Sequence, residues 1–461
     1  MNRDWFFERL VSWGAREALA GPTGSATYTG LLDLLADWSH RLDAAGVQAG
    51  QVVAFDASFR PRSVALLLAL LCRGGIAVPL ASVAPGQLED VLTTAQAEFV
   101  VTGLSGPVEF ARRGDQPGHP LIEALAASGR PGLVLFSSGS TGRPKGMLHD
   151  LDLLLNRYRE SRPPKRILAF LLPDHIGGIN TLLAGLASGG TVVFVDDRRP
   201  GEVCRAIAEH RVEVLPTSPT FLNLLLLSGE HRRHDLSSLR LITYGTEPMP
   251  SSTLERLHRE FPDLRLQQTY GSSELGILRS RSREDGSLWV EVGGEGYETK
   301  VVDGILWVRA RTAMLGYLNA DAPFDAEGWF CTQDVVEQDG EWLRFLGRVS
   351  ELINVGGQKV HPAEIESVLL EMDNVVDATV HAEPNPLLGQ SVVARVNLQA
   401  PESALDFKAR MRRYCHGRLP PFMIPVKVEV VAGDQLNTRF KRYRQAQVGQ
   451  LGGGADSAGR P

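Results

Sequence analysis

A chain of 461 residues exceeds one ordinary domain and predicts two or three. Its composition, 43% hydrophobic and 22% charged, is that of a globular protein with ample core, and a formal net charge of −6 leaves no basic footprint for nucleic acid or an anionic membrane surface. Cys72, Cys204, Cys331 and Cys415 are scattered without a CxxC pair, which argues against a disulfide framework or a zinc site and for a reducing cytoplasm. Met1 to Glu8 carries charges inside the would-be apolar region, so no signal peptide is expected. The apolar run Val64 to Leu71 is too short to span a bilayer and reads as buried helix.

Taken along the chain, apolar spacing predicts helices over Leu31 to Ala45, Ser63 to Arg73, Pro200 to His210 and Ser251 to Phe261. Strands are predicted over Val52 to Phe55, Leu133 to Phe136, Thr191 to Val195, Arg240 to Tyr244 and Gly304 to Ala310. This alternation predicts an α/β fold of layered sheets and helices. The pattern breaks near Gly347-Arg348-Val349-Ser350. Beyond it the chain reads strand, Gly-Gly turn, helix (His361 to Glu371), strand (Val375 to Ala382), strand (Ser391 to Leu398), helix, strand, a small α+β domain of about 100 residues. The expected division is 1–349, 350–446 and a disordered tail at 447–461, where small and polar residues dominate.

One stretch concentrates the chemistry. Ser137-Ser138-Gly139-Ser140-Thr141-Gly142-Arg143-Pro144-Lys145-Gly146 follows a buried-strand pattern with four hydroxyls, three glycines and a lysine. Glycines let the backbone approach a ligand and present N–H groups to phosphate oxygens, and Lys145 adds charge. Pro144 denies that lysine a helix and is expected to keep it in a loop. No Gly-Lys-Ser/Thr closes the run, so it is a polyphosphate loop of another kind than the P-loop.

Further along, Tyr270-Gly271-Ser272-Ser273-Glu274 sets a carboxylate beside hydroxyls, a donor set for Mg²⁺, or else a turn with an exposed glutamate. Asp334, in Gly328 to Asp334, and Arg348 could hold ribose hydroxyls, or serve as a hairpin cap and a surface ion pair. Gly356-Gly357 allows a tight turn before a helix opened by Pro362, and that structural reading is complete in itself. Leu436 to Arg444 reads locally as a solvated basic tail, and His231-Arg232-Arg233-His234 as surface.

In this order the segments resemble the adenylate-forming superfamily of acyl- and aryl-CoA synthetases, nonribosomal peptide synthetase adenylation domains and firefly-type luciferases, closest in character to free-standing acyl- or aryl-acid ligases. Thr27-Tyr28, Gly74 to Leu80 and Leu419 to Pro425 look like its early and late motifs, and Ser137 to Gly146 matches its signature without a gap. The resemblance implies a large N-terminal domain and a small mobile α+β C-terminal lid. It implies that Ser137, Ser138, Gly139, Ser140, Thr141, Gly142 and Lys145 hold the β- and γ-phosphates of ATP. Gly245, Thr246 and Glu247 would form the adenine-side loop, with Tyr270 and Gly271 beside it. Glu274 would bind Mg²⁺, Ser273 would contact the α-phosphate, and Asp334 and Arg348 would hold the ribose. Lys441 would bridge the substrate carboxylate and the α-phosphate, Ser350 would be the hinge, and Gly356 and Gly357 would face the acceptor. Departures are Ser350 where Asp or Lys is commoner, Gln333 for the glycine of "TGD", Phe440 before the lysine, and a short stretch between Leu80 and Leu133.

Leu172 to Gly178 resembles the segment lining the acyl pocket. His175 stands where amino-acid-activating members carry an aspartate, so an aryl or fatty acid is favoured over an α-amino acid, with Pro216 to Leu222 and Gly276 to Leu278 as an apolar wall. The implied reaction is formation of an acyl-AMP with release of pyrophosphate, then transfer to coenzyme A or to the phosphopantetheine of a separate carrier protein. Transfer to an amine and a degenerate ATP-binding member are the alternatives. The expected setting is the cytoplasm.

Overall fold

The computed structural model describes residues 3–81, 83–114, 116–137, 143–284, 286–321 and 323–431. They fall into two compact units, one ending at Phe345 and one beginning at Leu346.

Three seven-stranded sheets build the first unit. In the first sheet, Val52–Asp56, helix Pro61–Arg73 and Ile76–Leu80 form a parallel crossover. That helix begins on Pro61, and Gly74 ends it in the left-handed conformation at φ 78°. Its residues Ser63 to Leu71 are all buried, so apolar side chains surround it. Gly132–Ser137 lies next in the sheet, followed by the antiparallel strand Lys145–Asp150.

The second sheet carries a parallel run, Val214–Thr217, Leu241–Tyr244 and Arg265–Gln268. Thr217 pairs with Tyr244 and Tyr244 with Gln268, so the three strands end level. Helices Pro219–Ser228 and Ser251–Glu260 connect them. Residues of both sheets share one core with the helices Tyr28–Ala44, Pro61–Arg73 and Ile176–Ala187. The third sheet is antiparallel where Tyr270–Ser272 pairs with Gly276–Ser282 and where Ile305–Ala310 pairs with Phe330–Asp339.

In the second unit, helices Pro362–Leu370 and Ala404–Cys415 supply Ile365, Leu369, Phe407 and Met411 to the core of a sheet dominated by Val375–Asn385 and Gly389–Leu398. Among the described residues no helix is long and apolar enough to cross a membrane.

Two local expectations are corrected. Lys145 is not in a loop: it opens a strand, opposite Ser137. Pro144 does exclude helix, but a proline directly before a strand costs the ladder no hydrogen bond. His231 is not surface: it is 8% exposed, with Nδ1 at 3.1 Å from the Leu225 carbonyl and Nε2 at 3.2 Å from Glu260.

Candidate active site

The level ends of the parallel strands bring separate loops to one edge, the carboxyl edge where α/β sheets bind ligands. Gly245 follows Tyr244 there, and a Cβ on it would meet the Thr269 carbonyl oxygen at 2.6 Å. Gly271 is equally constrained, since its Cβ would lie 2.5 Å from the Gly276 oxygen. Thr246 adopts φ 76°, a left-handed conformation that is costly for a β-branched residue. The Glu247 carboxylate accepts from the Thr220 N–H at 2.8 Å, at the N-terminus of helix Pro219–Ser228. That position ties the Gly245 to Glu247 loop to the neighbouring strand connection.

Tyr270 and Asp334 meet directly. The tyrosine hydroxyl donates to Asp334 Oδ2 at 2.7 Å, and its ring stacks on Phe345 at 4.7 Å. Asp334 lies where the strand pairing shifts register between Ile305 and Trp307. Thr332 donates to the Leu306 carbonyl and accepts from the Asp334 N–H at 3.0 Å. Between them Gln333 sits at φ 61°. The departure from glycine at this position therefore has a backbone cost, because only glycine enters that region freely.

Glu274 occupies the turn between Tyr270–Ser272 and Gly276–Ser282. Its Oε1 accepts from the Tyr317 hydroxyl at 2.9 Å, and its carbonyl accepts from the Met314 N–H at 2.7 Å. Lys145 Nζ stands 5.2 Å above the Tyr317 ring. Tyr317 lies in Gly316–Tyr317, paired to the strand that Lys145 opens, and Asn319 accepts from the Gly146 N–H and donates to the Pro144 carbonyl. The structure thus joins Lys145, Tyr317 and Glu274 across two sheets. Ser273 shares the Glu274 turn and is partly exposed.

Behind this cluster lies His149, fully buried. Burial pushes its pKa down to about 4, while the Glu274 charge and the Ser273 backbone act in the opposite sense. Its ring nitrogens have no partner in hydrogen-bond geometry among the described residues. The buried Ser272 hydroxyl is likewise unpartnered there. The Glu274 carboxylate is an oxygen donor of the kind a hard cation such as Mg²⁺ takes.

His175 caps helix Ile176–Ala187, accepting the Gly177 N–H on Nδ1 at 3.1 Å. Asp174 is 5% exposed and accepts from the Ala81 N–H, and its charge acts on Arg198. Neither lines the cavity of about 970 Å³ that opens beside this helix. Gly177, Thr181, Pro216, Thr269, Ile277 and Leu278 do.

In the second unit, Arg348 ends the strand Trp342–Arg348 and is exposed, as is Ser350 in the turn Val349–Glu351. Gly356 and Gly357, at φ 57° and 89°, form a two-residue hairpin turn between Val355 and Gln358, a geometry that demands glycine. Ser138, Gly139, Ser140, Thr141, Gly142 and Lys441 lie outside the described residues. Tyr317 and His149 are absent from the sequence reading, since neither sits in a glycine- or charge-rich pattern. Only the strand pairing reveals them.

Residues 6–318 match the family model described as AMP-binding enzyme, and residues 364–441 match that of the AMP-binding enzyme C-terminal domain. An indoleacetate–CoA ligase of Aromatoleum aromaticum is 28% identical, with 97% of each chain covered. The phenyloxazoline synthase MbtB of Mycobacterium sp. (strain MCS) is 27% identical over 97% of this chain but only 42% of its own length. The crystal structure of the anthranilate CoA ligase AuaEII in complex with anthranoyl-AMP superposes with a TM-score of 0.81, covering 95% of both chains at 20% identity, which shows a shared fold.

Proposed function

Because the chain belongs to the AMP-binding enzyme family, we propose that its strand-end cluster carries out adenylation of a carboxylic acid, followed by transfer to a thiol. The enzyme is an ATP-dependent, AMP-forming acid–thiol ligase. A carboxylate oxygen of the acid attacks the α-phosphorus of ATP, and pyrophosphate leaves. The thiolate then attacks the acyl carbonyl, a C–S bond forms, and AMP departs. Coenzyme A is favoured over the phosphopantetheine of a carrier protein. The indoleacetate–CoA ligase matches over nearly its full length, whereas the phenyloxazoline synthase has most of its length outside the match.

The Lys145–Tyr317–Glu274 constellation carries this reading. A cation for the β- and γ-phosphates and a carboxylate for a phosphate-bound metal stand on either side of one tyrosine, as charge neutralisation in phosphoryl transfer requires. Glu274 would hold Mg²⁺, which screens the phosphate charge. Ser273 is the candidate for the α-phosphate contact. Asp334, oriented by Tyr270, accepts from ribose hydroxyls, and Gly245 to Glu247 borders the base. Arg348, Ser350, Gly356, Gly357 and Lys441 keep the roles that the resemblance implies.

The Asp174 carboxylate is engaged away from the cavity, and His175 caps a helix. Neither Asp174 nor His175 therefore stands in the cavity to pair an α-ammonium group. Apolar lining from Pro216, Ile277 and Leu278 suits an aryl or long acyl body. Acid-dependent ATP–pyrophosphate exchange with Mg²⁺ tests the first step, and coenzyme A-dependent AMP release tests the second. Lys441→Ala is expected to abolish exchange while ATP still binds; normal exchange in that variant would refute its assignment.

A further inference from the structure

Arg157 follows the short helix Leu151–Asn156 and sits half-buried on the wall of the 970 Å³ cavity. Its Nη1 lies 3.7 Å from the position a Cβ would take on Gly276, and its guanidinium stands 5.7 Å above the Tyr297 ring. That ring is held in place: its hydroxyl is 2.8 Å from Thr312 Oγ1, and Thr312 donates to the Leu275 carbonyl at 3.1 Å. Among the described residues no carboxylate pairs with Arg157. Of the two glutamates lining the same cavity, Glu160 is taken by Arg279 at 3.4 Å and Glu295 is exposed. Five arginines face those two glutamates there, Arg159, Arg162 and Arg311 being the other three. On the helix side, Asn180 Oδ1 accepts from Tyr158 at 2.7 Å, so that amide is oriented as well. The Arg157 and Arg162 charges both act on Tyr158.

A guanidinium drawn partly out of water needs a counter-charge, and its planar fork matches a carboxylate bidentately. The described residues offer none, while Pro216, Ile277 and Leu278 give the same cavity an apolar stretch. We propose that Arg157 is the specificity residue for a second carboxylate on the acid substrate, so that the enzyme activates dicarboxylic acids with an aryl or alkyl body between the two carboxyl groups. This rests on the adenylation reading above and narrows its substrate class.

The test is ATP–pyrophosphate exchange in the absence of coenzyme A. The acids are 4-carboxyphenyl-acetate, -propionate and -butyrate, each beside its ring-carboxamide counterpart, with the unsubstituted phenylalkanoates as monoacids. For at least one chain length the diacid is expected to exceed the amide about 100-fold in kcat/KM, the scale of a charge-assisted pair. Arg157→Met is expected to shrink that ratio below about 5-fold, and Arg157→Lys to restore part of it. The wild-type ratio stands independently if a variant fails to fold. Monoacids or amides matching the diacid at every length overturn the proposal and leave adenylation intact, as does an unchanged ratio in Arg157→Met. A loss seen only in the coenzyme A-dependent step also overturns it, assigning the cation to a coenzyme A phosphate. Silence with every acid overturns the adenylation reading and this proposal with it.

Discussion

The strand-end edge proposed for the nucleotide and the cavity wall of the first unit are built on different principles. At the edge, the candidate groups are already held: Glu274 by Tyr317, Asp334 by Tyr270 and by its N–H bond to the Thr332 hydroxyl, Glu247 by a helix N-terminus. Gly245 and Gly271 are fixed there by backbone contacts that no Cβ would survive. On the cavity wall, Arg157 has an aromatic face beneath it and no carboxylate partner among the described residues. On the proposed reading, chemistry common to any acid is wired into strand register, whereas the choice of acid rests on side chains that can change without disturbing a sheet.

The largest effect that would sharpen this contrast is at the edge. Glu274→Gln keeps the bond from Tyr317 and removes the charge, and exchange should fall about 1,000-fold. A fall below about 10-fold would break the assignment of the metal to Glu274. Next comes the buried layer behind it. His149 is held well below its unfolded value, so the unfolded chain binds its proton first as pH falls. Its contribution is complete above about pH 6.5 and is lost progressively down to about pH 4, amounting to about 3 kcal/mol by that point. Urea unfolding at pH 7 and pH 4 should show His149→Gln losing less stability than wild type over that interval; equal losses would contradict a buried neutral imidazole.

Smaller effects probe the nucleotide contacts. Asp334→Asn should raise the KM for ATP about 20-fold, and Tyr270→Phe about 5-fold, each with kcat less affected. A kcat defect at constant KM would move Asp334 out of the ground-state ribose contact. The smallest is structural: Gln333→Gly relieves the left-handed backbone at φ 61° and should stabilise by about 1 kcal/mol in thermal unfolding. No gain would mean that the Gln333 contact with Cys331 Sγ at 2.9 Å offsets the strain.

Local punctuation made much of the fold legible in the sequence. Helix Pro200–His210 lies within the bounds its spacing predicts, because Pro200 opens it and Arg211 closes it in the left-handed conformation. Val375–Asn385 and Gly389–Leu398 were readable as strands, though their pairing extends past both predicted inner ends to an Asn385–Gly389 turn. The signature glycines and hydroxyls predict a phosphate loop, and its described flanks pair as antiparallel strands, which proline chemistry alone does not reveal. Tyr317, His149 and Arg157 carry no sequence mark. Each acquires its place from another element's strand or helix, through contacts more than a hundred residues away in sequence.

The most direct test of the central claim is pyrophosphate exchange into ATP, measured with Mg²⁺, with and without a carboxylic acid. Exchange that requires both acid and Mg²⁺, and that collapses in Glu274→Gln, is the predicted result. Acid-independent hydrolysis of ATP to ADP and phosphate would contradict an adenylating edge.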